Sequence, residues 1–312
     1  MRGVKDDNLF MQPDARLTRY AWLSVVTALA VIILKVAAYW LTGSIGFLSD
    51  ALESGANIVA AIITLVALVI ASKPPDREHA FGHSKAEYLS SGAEGILILI
   101  AAVYIAVQAI TRLRNPEPLE QVRLGLLVSA VAALANFVVA RILLNAGKQH
   151  RSAALTASAH HLLTDVWTSA GVIVGVALVG LTGLQWLDPV IALIVAVQII
   201  FTGSKLVRES ANGLMDAALP DEEVSQVKAI LDRHLEAGVA YHALRTRQAG
   251  AQRFVSVHIQ VPGNWSVQKG HELLEAIELD MNDALAPINV TTHIEPVEDP
   301  ASWQDALLNR PG

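Results

Sequence analysis

The order of apolar and polar positions divides the chain into two unlike parts. Six apolar runs, at about 20–42, 44–72, 86–111, 122–145, 155–181 and 186–206, are each close to the roughly 20 residues that a helix needs to cross a bilayer. Their connections are short, as in Thr42-Gly43-Ser44 and Thr182-Gly183-Leu184-Gln185, so neighbouring helices run antiparallel. After Gly213 the pattern becomes that of a soluble domain. It predicts a helix at about 221–236, strands at about 240–248 and 252–261, a helix at about 266–285 and a strand at about 288–295. The second strand alternates Val255, Val257, Ile259 and Val261 with Phe254, Ser256, His258 and Gln260. The expected fold is an all-α membrane domain of six transmembrane helices followed by an α+β sandwich of ferredoxin-like or heavy-metal-domain-like type, in the order αββαβ. The expected division is 1–19 as an N-terminal segment, 20–212 as the membrane domain, 213–296 as the cytoplasmic domain and 297–312 as a loose tail.

Composition agrees with a membrane protein, because 53% of the 312 residues are hydrophobic and only 17% are charged, too few to coat a water-facing surface. The polar first 20 residues, with Asp6, Asp7 and Asp14, do not fit a cleaved signal peptide. An even number of spans puts both termini on one side. Arg2, Lys5, Arg16, Arg19, Lys73, Arg77, Lys85, Lys148, Arg151, Lys205 and Arg208 fall on that side, against Arg112, Arg114 and Arg123 opposite, so both ends are expected in the cytoplasm. Residues 213–312 hold 15 Asp/Glu and 7 Lys/Arg, a net −8, which excludes a basic nucleic-acid footprint and suits cations. With no cysteine, any metal must be held by His, carboxylate or amide groups.

Ionisable side chains inside a span cost about 2.5–3.5 kcal/mol each and are functional candidates for that reason. The second span carries Asp50, Glu53 and Asn57 at i, i+3 and i+7, all on one helix face. The fifth carries His161 and Asp165 at i and i+4. Two such faces brought together offer oxygen and nitrogen donors to a divalent ion of zinc or ferrous type, and an interhelical hydrogen-bond cluster is the structural alternative. The loop after the second span spaces Asp76, His79 and His83 as a second donor set. In the soluble part, a turn around Gly250 puts His242 opposite His258, and His293 and Glu295 share one face of the last strand. With His271, these are four of the five histidines in that domain. Neither H-E-x-x-H nor G-x-S-x-G occurs, which removes the metalloprotease and serine hydrolase patterns.

In order and spacing, DALESGAN (50–57), DREHAFGHSKAE (76–87), HLLTD (161–165), LMDAALPDEE (214–223), LRTRQAG…RFVSVHI and THIEP resemble the cation diffusion facilitator family, of the bacterial YiiP/FieF type, over nearly the whole chain. The resemblance implies a homodimeric, proton-coupled antiporter of the inner membrane that expels divalent metal from the cytoplasm. It implies a transport site of Glu53, Asn57, His161 and Asp165, a loop site of Asp76, His79 and His83, and a dinuclear cytoplasmic site of His242, His258, His271, His293 and Glu295. It further implies a dimer-stabilising ion pair of Lys85 with Asp216. Zn2+ and Fe(II) are the expected substrates, with Co, Cd and Mn following, and metal ions are also the expected regulatory ligands. Both second-span positions are aspartates in that type, and here they are Glu53 and Asn57, which lowers the formal charge by one. Asp50 is a candidate to supply the missing carboxylate or to anchor helix packing. A membrane-anchored metal sensor without transport is the alternative class.

Overall fold

A computed structural model of the protein describes residues 15–149 and 153–303. Six long helices come first: α1 (Ala15–Thr42), α2 (Ile45–Ala71), α3 (Ala86–Arg114), α4 (Val122–Gln149), α5 (Ala153–Thr182) and α6 (Leu187–Leu214). They are followed by α7 (Asp221–Arg233), β1 (Ala240–Ala249), β2 (Gln252–Val261), α8 (Val267–Leu285), β3 (Ile288–Pro296) and a 3-10 turn at Pro300–Trp303. The six apolar runs of the sequence correspond to α1–α6, each long and apolar enough to cross a membrane. All of the helices except α2 are longer than the runs. At about 1.5 Å per residue, 27–30 residues reach some 40–45 Å, beyond a hydrocarbon layer of about 30 Å. Polar residues at the ends continue the backbone hydrogen bonding after the apolar pattern stops. Arg2, Lys5 and Arg151, used in the orientation argument, lie outside the described residues, as do Asp6, Asp7 and Asp14.

The described residues form two compact units, one from residues up to 61 with 94–204, the other from 62–93 with 205 onward. In the first, small residues let α1, α4 and α5 approach closely. Ala140 and Ala159 are fully buried among Val139, Leu143, Leu155 and Leu162. At Gly125 a Cβ would fall 2.1 Å from the Thr42 side chain, so no larger residue fits between α1 and α4 there. The first backbone N–H groups of α2 have no partner within the helix. Asp188, at the start of α6, supplies one: its carboxylate accepts from Ile45 N at 2.7 Å and Gly46 N at 3.1 Å, and from Ser44 Oγ at 2.5 Å. This buried carboxylate was not among the candidate residues, and its task is to end a helix.

In the second unit, β1 and β2 are antiparallel and β2 and β3 parallel, in the order β1-β2-β3, with α8 as the crossover. The inward residues of β2 pack with Val227, Ile230 and Leu231 of α7 and with Ile277, Met281 and Leu285 of α8. Ser266 caps α8 by accepting from Lys269 N at 3.2 Å. Helix α7 ends at Arg233, three residues before the expected end, because the His234 N–H turns back to Leu231 O and Asp232 O. Register pairs His242 with His258 and His258 with His293, so three imidazoles line one face across three strands. A bulge between His242 and Arg245, with Ala243 at φ +50°, breaks the β1 alternation beside this row. The segment from Val297, expected to be loose, folds back as far as it is described. Ser302 Oγ donates to Pro296 O at 2.8 Å and Trp303 Nε1 to Val297 O at 3.1 Å. Residues 304–312 lie outside the described residues.

Candidate metal sites

Inside the span, the second- and fifth-helix candidates are neighbours but do not close on one another. Asp50, Asp165 and Lys35 lie near enough to Glu53 to act on it electrostatically, and His161, Lys35 and Asp50 act likewise on Asp165. Glu53, Asn57 and Asp165 are half-buried and His161 is exposed. The residues that do close are others. Lys35 Nζ donates to Asp50 Oδ1 at 2.8 Å and to Ser54 Oγ at 2.7 Å, and Ser169 Oγ lies 2.9 and 3.0 Å from the two Asp50 oxygens. Asp50 and Ser54 are also four residues apart on α2, and it is this pair, not Glu53 and Asn57, that makes hydrogen bonds to α1 and α5. Lys35 therefore offsets part of the negative charge of the three carboxylates. Lys35, Ser54 and Ser169 were all missed. The available signal was Lys35, the only basic residue between positions 20 and 72.

The loop set forms from local geometry. Asp76 Oδ1 accepts from Glu78 N at 2.9 Å and His79 N at 2.7 Å, which fixes the carboxylate at the head of a turn. His79 Nδ1 lies 3.5 Å from Asp76 Oδ1, His83 Nε2 lies 3.3 Å from Asp76 Oδ2, and the rings are 4.5 Å apart. The His79 backbone N–H, ahead of the other causes, holds the Asp76 carboxyl below its ordinary range. His83 Nδ1 is buried with no hydrogen-bond partner among the described residues. All three residues offer a donor atom within 4.8 Å of the other two.

The sheet gathers a second set of the same compactness, His242, His258 and Glu295. Glu295 is 5% exposed, with His242 Nε2 at 2.8 Å from one oxygen and His258 Nδ1 at 3.1 Å from the other. His293 Nε2 is 3.4 Å from the second oxygen and more exposed. Trp303 stacks on His242 with centroids 6.2 Å apart, so the turn after β3 covers this end of the sheet. His271 does not join. It stands on the outer side of α8, with Nε2 3.9 Å from Glu275, because its helical position points it away from the strand face.

Lys85 and Asp216 meet at 2.9 Å, and Lys85 also donates to Leu214 O at 3.2 Å. Asp216, at φ +60°, receives Arg247 Nη1 at 3.1 Å as well. The Lys85 hydrogen bond, with Arg247 assisting, keeps the Asp216 carboxyl below its usual value. The Arg247 guanidinium lies 5.1 Å from the Phe81 ring centroid and 4.0 Å from that of Phe254. The family resemblance implied the ion pair and did not extend to the arginine.

Comparison with known proteins gives the family. Residues 21–215 match the cation efflux transmembrane domain and residues 219–297 the cytoplasmic domain of cation efflux proteins. The chain belongs to the cation diffusion facilitator family. The uncharacterized transporter sll1263 of Synechocystis sp. is 50% identical over 93% of this chain and 94% of its own. The cation-efflux pump FieF of Klebsiella pneumoniae is 28% identical over 94% of this chain and 97% of its own. Among solved structures, the metal-bound C-terminal domain of the CzcD transporter from Thermotoga maritima is 31% identical over 25% of this chain and 92% of that one, with a TM-score of 0.24. This cation diffusion facilitator is thus an integral membrane protein and a cation efflux transporter.

Proposed function

We propose that this transporter exports divalent transition metal cations, Zn2+ foremost and Fe(II) second, from the cytoplasm in exchange for protons. One observation carries the reading: within the span, carboxylates of α2 and α5 and the imidazole of His161 stand close enough to act on one another electrostatically. These are nitrogen and oxygen donors without sulfur, a set suited to Zn2+ and Fe(II) and poor for Cu(I). The transport site is assigned to Glu53, Asn57, His161 and Asp165. Ligands must be deprotonated to bind metal, so a loaded ion displaces protons and protons from the other side displace the ion. Rocking of the helices about a site at their interface opens it to each side in turn. Asn57 binds only through its neutral carbonyl and carries no proton in the exchange.

The cytoplasmic residues His242, His258, His293 and Glu295 are assigned to regulatory metal, which tightens a homodimer when metal is plentiful. His271 is left out of that set, since the fold of one chain does not bring it there. Asp76, His79 and His83 form a further metal site in the loop, and the Lys85–Asp216 pair steadies the dimer arrangement. The division into 1–19, 20–212, 213–296 and 297–312 and the placement of both termini in the cytoplasm of a bacterial cell, with the helices in its inner membrane, follow from apolar run lengths and the Lys/Arg bias.

Sealed proteoliposomes with a trapped pH indicator test the reading across Zn, Fe(II), Mn, Co and Cd. Metal flux with opposed proton flux is the expected result. A membrane-anchored sensor would bind metal and move none.

A further inference from the structure

Lys35 is 2% exposed inside a 28-residue apolar helix, and nothing in the transport scheme uses it. An ammonium has three donors and no acceptor. Two of these donors are aimed at α2, at Asp50 Oδ1 and Ser54 Oγ, at distances of charge-assisted bonds. Ser169, one helical turn beyond Asp165 on α5, occupies both oxygens of the same carboxylate. Asp50 is 2% exposed, so these partners leave it little access to any other ion. The charges around it can be counted. Asp50, Glu53 and Asp165 act on one another and on Lys35. With the carboxylates ionised and His161 neutral, as metal binding requires, the three carboxylates carry −3, Lys35 brings the set to −2, and a divalent cation cancels −2. In a low-dielectric interior a cancelled set is far less costly than one left with a net charge.

We propose that Lys35 is a tethered cation that sets the charge of the transport site and withholds Asp50 from the metal's coordination shell. It acts through Asp50 and the local field rather than by touching the metal, so it is a positioning residue. The site is then neutral with one divalent ion, and that ion is held by two carboxylates instead of three, weakly enough to be released. The inference rests on the transport reading in one respect, that the metal binds beside Asp165.

The test is Zn2+ titration of the full-length protein in detergent, in a background with His83→Ala, His258→Ala and His293→Ala so that the intramembrane site is read. Lys35→Met leaves −3 and frees Asp50, and should bind Zn2+ about tenfold more tightly. Asp50→Asn leaves −1 and should bind it about tenfold more weakly. The double variant returns to −2 and should match the background, and Lys35→Arg, which keeps the charge, should stay near it. If Lys35→Met does not fold without metal, Asp50→Asn and the double variant decide. Affinity restored in the double supports the inference. Affinity as low in the double as in Asp50→Asn makes Asp50 a ligand and overturns it, and an unchanged affinity throughout makes the ion pair purely structural and overturns it too. Asp165→Ala, measured alongside, separates the two readings. Unchanged Zn2+ binding there defeats the transport-site assignment itself, whereas lost binding there with no response to Lys35→Met defeats only the role of Lys35.

Discussion

The cytoplasmic sheet and the membrane helices hold similar donors in different ways. On the sheet, β1, β2 and β3 deliver His242, His258 and Glu295 in register, and their donor atoms converge. On α2 and α5, Glu53, His161 and Asp165 share a neighbourhood without gathering, and the closed contacts there join Asp50 to Lys35 and Ser169. Strand pairing fixes side chains to a common face at spacings near 5 Å. A helix fixes only which face a residue is on, so what closes between helices depends on how they pack. The proposed regulatory site thus lies where strand register gathers the donors, and the proposed transport site where helix packing decides.

The largest effect should come from the membrane side of this comparison. His161→Ala and Asp165→Ala should each abolish metal-driven proton flux while the protein remains folded by size-exclusion chromatography, because each removes a proposed ligand inside lipid. A variant that transports at the original rate would remove α5 from the pathway. Asn57→Asp sharpens the same side. It adds an anionic donor and a titratable group, so Zn2+ should bind about tenfold more tightly. Transport should also become more steeply pH-dependent, and an unchanged pH profile would turn position 57 away from the metal.

Much of this contrast was legible in the sequence, for physical reasons that also explain the gaps. Apolar run length is set by the bilayer, so all six helices could be read, but their ends could not, since backbone hydrogen bonding continues into polar residues. The β2 alternation and the turn at Gly250 fix register, and they placed His242 against His258 correctly. Glu295 was readable only as a neighbour of His293, because its convergence on His242 depends on the parallel β2–β3 pairing made by the α8 crossover. His271 was implied by the family resemblance, and α8 turns it outward beside Glu275. Lys35 stood in plain view as a lone cation in an apolar run, but attention to carboxylates and imidazoles passed over it. Arg247 faces Phe254 through the same hairpin register, but Phe81 comes from more than 160 positions away, and spacing carries no trace of that contact.

On the cytoplasmic side the effects should be moderate. His258→Ala with His293→Ala should lower the bound Zn2+ per full-length chain and weaken the dimer, while transport persists within a few-fold of the original. Equilibrium dialysis with analytical ultracentrifugation reads both quantities, and unchanged stoichiometry would leave these histidines without a metal role.

The smallest effect belongs to Asp216. Its folded pKa is depressed by Lys85 and then Arg247, so its contribution is fully present above the unfolded value and lost only as pH falls through the lower folded one. With an unfolded value of about 3.9, acidification to about pH 5 should leave the pair intact. Asp216→Asn should loosen it at any pH. The ion pair is more than a third exposed on the Asp216 side, so the stability change should stay within about 1 kcal/mol and show mainly in hydrogen exchange at residues 214–219. Equal protection in both proteins would mean that the pair holds nothing in place.

The central claim is that metal passes through the α2–α5 site in exchange for protons. Simultaneous recording of Zn2+ uptake and internal pH in sealed proteoliposomes, for the original protein and Asp165→Ala side by side, tests it most directly. The account predicts Zn2+ moving one way and protons the other in the original, and neither moving in the variant. Zn2+ uptake with no proton counterflow, or equal uptake by both proteins, would contradict it.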